Sequence, residues 1–254
     1  MWEAASNGGV EEVEGILRKD PGVDPNWRNE GEYGRAAIHV VCENDHGSIV
    51  SILLAHPDID VNLRNNGGWT PFLTACANSV SCARLLLKDP RVDVMARERN
   101  SFSALWWALN GGNVDVIKWW IASGREIDLG TPGDHPTDAI GAAKKKGYLE
   151  AATLLERFKE HPEETRYATK VELGCHSVLA AEMFALVVFV SDEFLRISQG
   201  NHSTRPAARF FFVAARLPLE LQMFMCHRVL GSAKEIISGK DCELAIKDLA
   251  KCLK

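Results

Sequence analysis

The chain lacks the common signatures of catalysis. It has no Gly-rich phosphate loop, no H-E-x-x-H pair and no nucleophile elbow. Its eight histidines are scattered (His39, His46, His56, His135, His161, His176, His202 and His227), and no two pairs of metal-ligating residues lie at short spacing. Cys175-His176 and Cys226-His227 are adjacent in sequence, so their side chains diverge on a helix or a strand and make poor nucleophile–base pairs. The seven cysteines are odd in number and contain no C-x-x-C, which argues for reduced structural thiols over a disulfide framework. Positive charge is also short. A net charge of −5 argues against a general nucleic-acid or anionic-membrane binder, and Lys144-Lys145-Lys146, the one basic cluster, reads as a solvated helix end. Met1-Trp2-Glu3-Ala4 carries neither the basic nor the apolar stretch of a secretory signal. The strongest apolar run, Val178 to Val190, is broken by Glu182 and followed by Asp192 and Glu193. A membrane span needs about 20 apolar residues, so a buried helix is expected there.

What the chain does have is a repeated phrase. Gly34-Arg35-Ala36-Ala37-Ile38-His39, Gly68-Trp69-Thr70-Pro71-Phe72-Leu73, Ser101-Phe102-Ser103-Ala104-Leu105-Trp106 and Thr137-Asp138-Ala139-Ile140 align so that Ile38, Phe72, Leu105 and Ala139 fall at steps of 34, 33 and 34. Leu53-Leu54, Leu86-Leu87, Trp120-Ile121 and Leu154-Leu155 repeat at 33, 34 and 34, each closing a stretch of apolar residues at helical spacing. A third marker follows each pair: Val23-Asp24-Pro25-Asn26, Ile59-Asp60-Val61-Asn62, Val92-Asp93-Val94 and Ile127-Asp128-Leu129. Three markers on one period describe a stack of small helical units, none of which can bury its apolar face alone.

These residues resemble the ankyrin repeat, whose unit opens on Gly-x-Thr-Pro-Leu-His, continues through a helix with paired Ala and a Gly turn, and closes on a Leu-Leu helix and a hairpin. The copies are degenerate. Thr-Pro survives only at Thr70-Pro71, and the His position keeps its histidine only at His39. The missing residues are expected to weaken the turns of the other copies. The resemblance implies an all-α fold: an ankyrin-repeat solenoid of helix–turn–helix units joined by hairpin loops, followed by a small helical C-terminal module. The expected domains are 1–160, about five units with the first truncated, and 161–254, a helical module or end cap. In the second part, helices are expected over 207–217, 218–230 and 241–253.

The resemblance also implies function. Ankyrin repeats bind proteins through hairpin tips and the outward positions of the first helix, without catalysis, cofactor or metal. Carried over, the partner-binding positions are Arg28, Tyr33, Arg35, Arg64, Asn66, Trp69, Arg97, Arg99 and Phe102 at the tips. On the helices they are Glu43, Asn44, Asn78, Trp107 and Asn110. Aromatic rings mixed with arginine are typical of interface cores. Trp106 and Trp120 are expected in the core, and Trp107 on the concave side. The expected partner is a protein, with no nucleic acid and no membrane; the expected setting is cytoplasmic or nuclear, not secreted. A second expectation rests on Leu217-Pro218-Leu219-Glu220-Leu221, which resembles the opening of an F-box and implies a substrate adaptor, a component of a cullin-type ubiquitin ligase. The plainer reading of that phrase is Pro-initiated helix in a cap.

Overall fold

The computed structural model describes residues 1–20, 22–134, 138–175, 180 and 183–188, together with Ala214, Gln222, Met223, Met225, Cys226 and Ala245. The chain divides into two compact units, Met1–Thr169 and Lys170–Lys254.

The first unit is a double layer of helices. The inner layer consists of α1 (Trp2–Ser6), α3 (Ala37–Glu43), α5 (Pro71–Asn78), α7 (Ala104–Asn110) and α9 (Ala139–Lys146). The outer layer consists of α2 (Val10–Lys19), α4 (Gly47–Leu54), α6 (Val80–Leu87), α8 (Val114–Ser123) and α10 (Leu149–Glu160), and α11 (Pro162–Glu172) follows. Each inner helix packs on the next inner helix, and each outer helix on the next outer one. The periodic residues Ile38, Phe72, Leu105 and Ala139 are fully buried, as are Leu53, Leu86 and Leu155. One continuous apolar core runs from Ala4 to Phe158. Cys42, Cys76 and Cys82 are buried free thiols in it, and burial holds the Cys42 and Cys76 thiols well above their ordinary pKa.

Three of the inner helices, α5, α7 and α9, start on side-chain caps. Thr70 Oγ1 accepts from the Leu73 N–H at 3.3 Å, with Pro71 at the first helical position. The copies that lack Thr-Pro keep this bond by other means. Ser103 Oγ accepts from the Trp106 N–H at 3.2 Å, and an Asp138 carboxylate oxygen from the Gly141 N–H at 2.7 Å. The expected weakening of those helix starts is corrected to that extent: Ser and Asp are at least as good as Thr at this position. Ala36 has no oxygen to offer. There His39 takes over, with Nδ1 accepting from the Ala36 N–H at 3.2 Å.

Successive units are tied at three levels. At the hairpins, the Asn66 N–H donates to the Tyr33 carbonyl at 2.9 Å and the Arg99 N–H to the Gly67 carbonyl at 3.2 Å. Past the outer helices, Asn26 donates through Nδ2 to the Asp58 carbonyl at 2.7 Å and accepts through Oδ1 from the Asp60 N–H at 2.8 Å. Asn62 repeats this clamp one unit on, against the Arg91 carbonyl (2.8 Å) and the Asp93 N–H (2.7 Å). The third copy has Met95 here, and Arg125 reaches back to the Asp89 carbonyl (2.9 Å) and the Val92 carbonyl instead. At the inter-helix turns, Asn44 donates to the Ser6 carbonyl (3.0 Å) and Asn113 to the Ala77 carbonyl (2.7 Å), while Ser79 and Ser81 donate to the Asp45 carboxylate. Those two hydroxyls hold the Asp45 carboxyl below its usual range.

In the second unit, Ala180, Phe184, Val187, Ala214 and Cys226 form a separate buried apolar group. Residues 180 and 183–188 are helical, as are the isolated positions described in 207–217, 218–230 and 241–253. The Leu217-Pro218-Leu219-Glu220-Leu221 phrase lies outside the described residues. No helix among the described residues is long and apolar enough to cross a membrane.

Candidate protein-binding surface

The hairpin tips need backbone that turns sharply. Gly34 (φ 65°), Gly68 (φ 80°) and Ser101 (φ 68°), the opening residues of three copies of the phrase, all sit in the left-handed region. The first tip is longer than the others, with a 3₁₀ turn over Glu30–Glu32 and Tyr33 in the left-handed region as well (φ 56°). A bulky side chain rarely accepts that conformation. Tyr33 carries its ring into solvent, 76% exposed.

The other two tip rings turn inward. Trp69 lies with its ring centroid 4.4 Å from that of Trp107 on α7, and Phe102 lies 4.2 Å from Trp106 and 5.9 Å from Trp107. Trp106 and Trp107 meet edge to face at 4.9 Å. The four rings make one half-buried patch across two units, joining the hairpin ends to the start of an inner helix. Such pairs are worth about 0.5–1.5 kcal/mol each beyond the area they bury. Trp106 therefore differs from the expectation of a core residue: it remains partly exposed, with the Lys146 ammonium 6.0 Å from its ring centre. Trp120 is in the core, 1% exposed and edge-on to Phe72 at 4.9 Å. The Trp107 Nε1–H is buried and has no hydrogen-bond partner among the described residues.

The remaining expected contact residues fall into two groups. Toward the first units, charge is balanced internally: Arg35 pairs with Glu32 and Glu43, and Arg28 lies 3.6 Å from Glu30 and donates to Asn66, whose amide reaches Glu30 at 3.3 Å. Asn44 is spent on the Ser6 carbonyl and Asn78 on its own helix at Thr74. Around the ring patch, Arg97 pairs with Asp128, and Asn110 accepts from Lys146. Arg64 donates to the Gly68 (3.0 Å) and Arg97 (2.7 Å) carbonyls, and Arg99 is exposed with no carboxylate beside it among the described residues. Glu98 is buried at the third tip, its carboxylate accepting from the Asn100 and Phe102 N–H groups at 2.9 and 3.2 Å.

His39 is a bracing residue. Its Nδ1 accepts from Ala36, so the proton sits on Nε2, which faces the Leu63 carbonyl at 2.9 Å and the Trp69 carbonyl at 3.1 Å. Burial, acting above all else, lowers its pKa to about 4. Among the described residues no cluster of three or more His, Cys, Asp or Glu is placed to hold a metal ion.

Residues 1–98 match the family model of ankyrin repeats in three copies. The matched segment is an ankyrin-repeat solenoid. The repeats continue past the matched segment, since α7 to α10 keep the same pairing and the same core. The chain is similar to SMC5-SMC6 complex localization factor protein 1 of Homo sapiens, 29% identical over 185 residues, which is 69% of this chain and 17% of that protein. The Bos taurus protein of the same name is 29% identical over 189 residues, 70% of this chain and 18% of its own length. Rabankyrin-5 of Homo sapiens is 40% identical over 90 residues, 34% of this chain and 7% of that protein. The chain thus spans less than a fifth of the length of these relatives.

The hydrogen-bonding ladder of Asn26, Asn62 and Arg125 and the inward turn of Trp69 were not read from the sequence. The recurring Asp-x-Asn of the third marker was the available signal for the first two. Nothing local signals the ring patch, because its members meet only when one unit stacks on the next.

Proposed function

We propose that this chain is a protein-binding module that holds its partner across the inner helices and hairpin tips, without catalysing a reaction. The observation that carries this reading is the patch of Trp69, Phe102, Trp106 and Trp107, half-buried across two units, with the Tyr33 ring held in solvent on the first tip. Partly exposed Trp and Tyr beside Arg are the usual material of binding hot spots. Residues 1–160 form the binding domain in this reading, and 161–254 a separate helical module. The likeness to a complex localization factor supports a role in bringing a partner to an assembly. An intracellular setting, cytoplasmic or nuclear, belongs to the same proposal and is supported by free buried thiols at Cys42, Cys76 and Cys82.

The test is partner capture with Tyr33, Trp69 and Phe102 changed together to Ala. Loss of captured protein from a variant with unchanged helical circular dichroism supports the reading. Undiminished capture by a folded variant overturns the tip and patch assignment.

A further inference from the structure

We propose that the segment seated on the aromatic patch is acidic: a peptide stretch that places carboxylates among apolar side chains. This inference rests on the protein-binding reading above and concerns the chemistry of the partner. Its ground is the balance of charge around the four rings.

Three cations border the patch without a carboxylate among the described residues. Arg64 is held at the Trp69 hairpin by the Gly68 and Arg97 carbonyls, which leave its charge uncompensated. Arg99 belongs to the tip that bonds back to Gly67, and is exposed. Lys146 stands over Trp106, and among the described residues its ammonium donates to the Asn110 amide oxygen and carbonyl. The nearby anions are already engaged: Asp128 with Arg97, and Glu98 with the backbone of its own hairpin. The contrast is with Arg35 at the other end of the same face, whose charge Glu32 and Glu43 cancel. An acidic segment lying on the rings meets Arg64, Arg99 and Lys146 while its apolar side chains cover indole surface. The Trp107 N–H, buried within the same patch and without an acceptor among the described residues, is a reporter of what settles on the rings. Phosphate on a single-stranded nucleic acid shares the charge and its bases stack on aromatic rings, but the net charge of −5 on the chain opposes a long polyanion.

The experiment uses the full chain and four probes: a synthetic peptide in which Glu alternates with Leu, its Gln and Lys counterparts, and an oligothymidylate. Indole N–H resonances report engagement of the rings, and anisotropy of labelled probes reports affinity. The Glu peptide is expected to shift the Trp107 indole N–H and to bind at least about tenfold tighter than the Gln peptide, with affinity falling as salt is raised. Arg99→Glu, at an exposed position, is expected to weaken the Glu peptide and strengthen the Lys one. Equal binding of the Gln or Lys peptide, preference for oligothymidylate, or unmoved indole resonances with the Glu peptide each overturn the assignment. Capture by the ring-substituted variant then decides separately whether protein binding itself stands.

Discussion

The Nε2 of His39 lies 3.1 Å from the carbonyl oxygen of Trp69, so one imidazole ties the start of α3 to the hairpin of the next repeat. Protonation would leave this Nε2–H bond in place and break the one at the other ring nitrogen, because Nδ1 accepts from the Ala36 N–H only while the ring is neutral.

Stability is therefore expected to depend on pH through this residue. Its pKa is depressed to about 4 in the fold from 6.5, mainly by burial, so the unfolded chain takes up the proton first. The contribution is complete above pH 6.5, falls as pH drops through the window, and levels off below about 4, a loss of up to roughly 3 kcal/mol. Urea midpoints measured across this range are the check. His39→Gln is expected to flatten the slope and to lower stability at neutral pH. A wild-type midpoint unchanged between neutral pH and pH 5 contradicts the assignment.

The asparagine clamps predict a local cost. Asn62→Ala removes two hydrogen bonds across one seam and is expected to destabilise by about 1–2 kcal/mol. Asn26→Ala removes the equivalent pair and should match it. Urea denaturation read by circular dichroism measures both; changes within error of zero would show that water replaces the clamps.

The tips predict opposite signs for two small substitutions. Ser101 pays for its left-handed backbone, so Ser101→Gly is expected to raise stability by up to about 1 kcal/mol. Gly34→Ala must adopt the same conformation with its new methyl against Asn66 and Arg28, and is expected to cost about 1–3 kcal/mol. Thermal midpoints of the two variants against the parent chain test the pair.

The adjacent indoles Trp119 and Trp120 should behave differently. Trp120→Ala empties a fully buried site beside Phe72 and is expected to cost about 3–5 kcal/mol. Trp119 is half-buried beneath the Arg84 guanidinium, and Trp119→Ala is expected to cost about 1 kcal/mol or less. Comparable losses for the two would mean that Trp119 contributes to the core.

The period of 33 to 34 residues sufficed to locate the units, because burial of Ile38, Phe72, Leu105 and Ala139 is a property of each unit's own helix and shows in its own sequence. The caps at Ser103 and Asp138 were equally local, yet comparison with Thr-Pro made them look like losses. The binding surface was harder to read. Counting Tyr33, Trp69 and Phe102 as equivalent tips missed the two extra residues that lift Tyr33 outward. It also missed that Trp107, expected on the concave side, packs against the other two rings. Those outcomes depend on distances between units, which a repeat alignment does not contain.

The replacement of the third clamp by Arg125 has a mechanical consequence. Asn26 and Asn62 are short struts, each gripping both a donor and an acceptor of the next unit; Arg125 is a long side chain holding two carbonyls. A solenoid with identical struts flexes evenly, like a uniform spring. At the joint between the third and fourth units, the joint that Trp69 and Trp107 bridge, the strut is of a different kind. A ligand lying over those rings spans that joint, and its occupancy is expected to raise the force needed to part the third unit from the fourth.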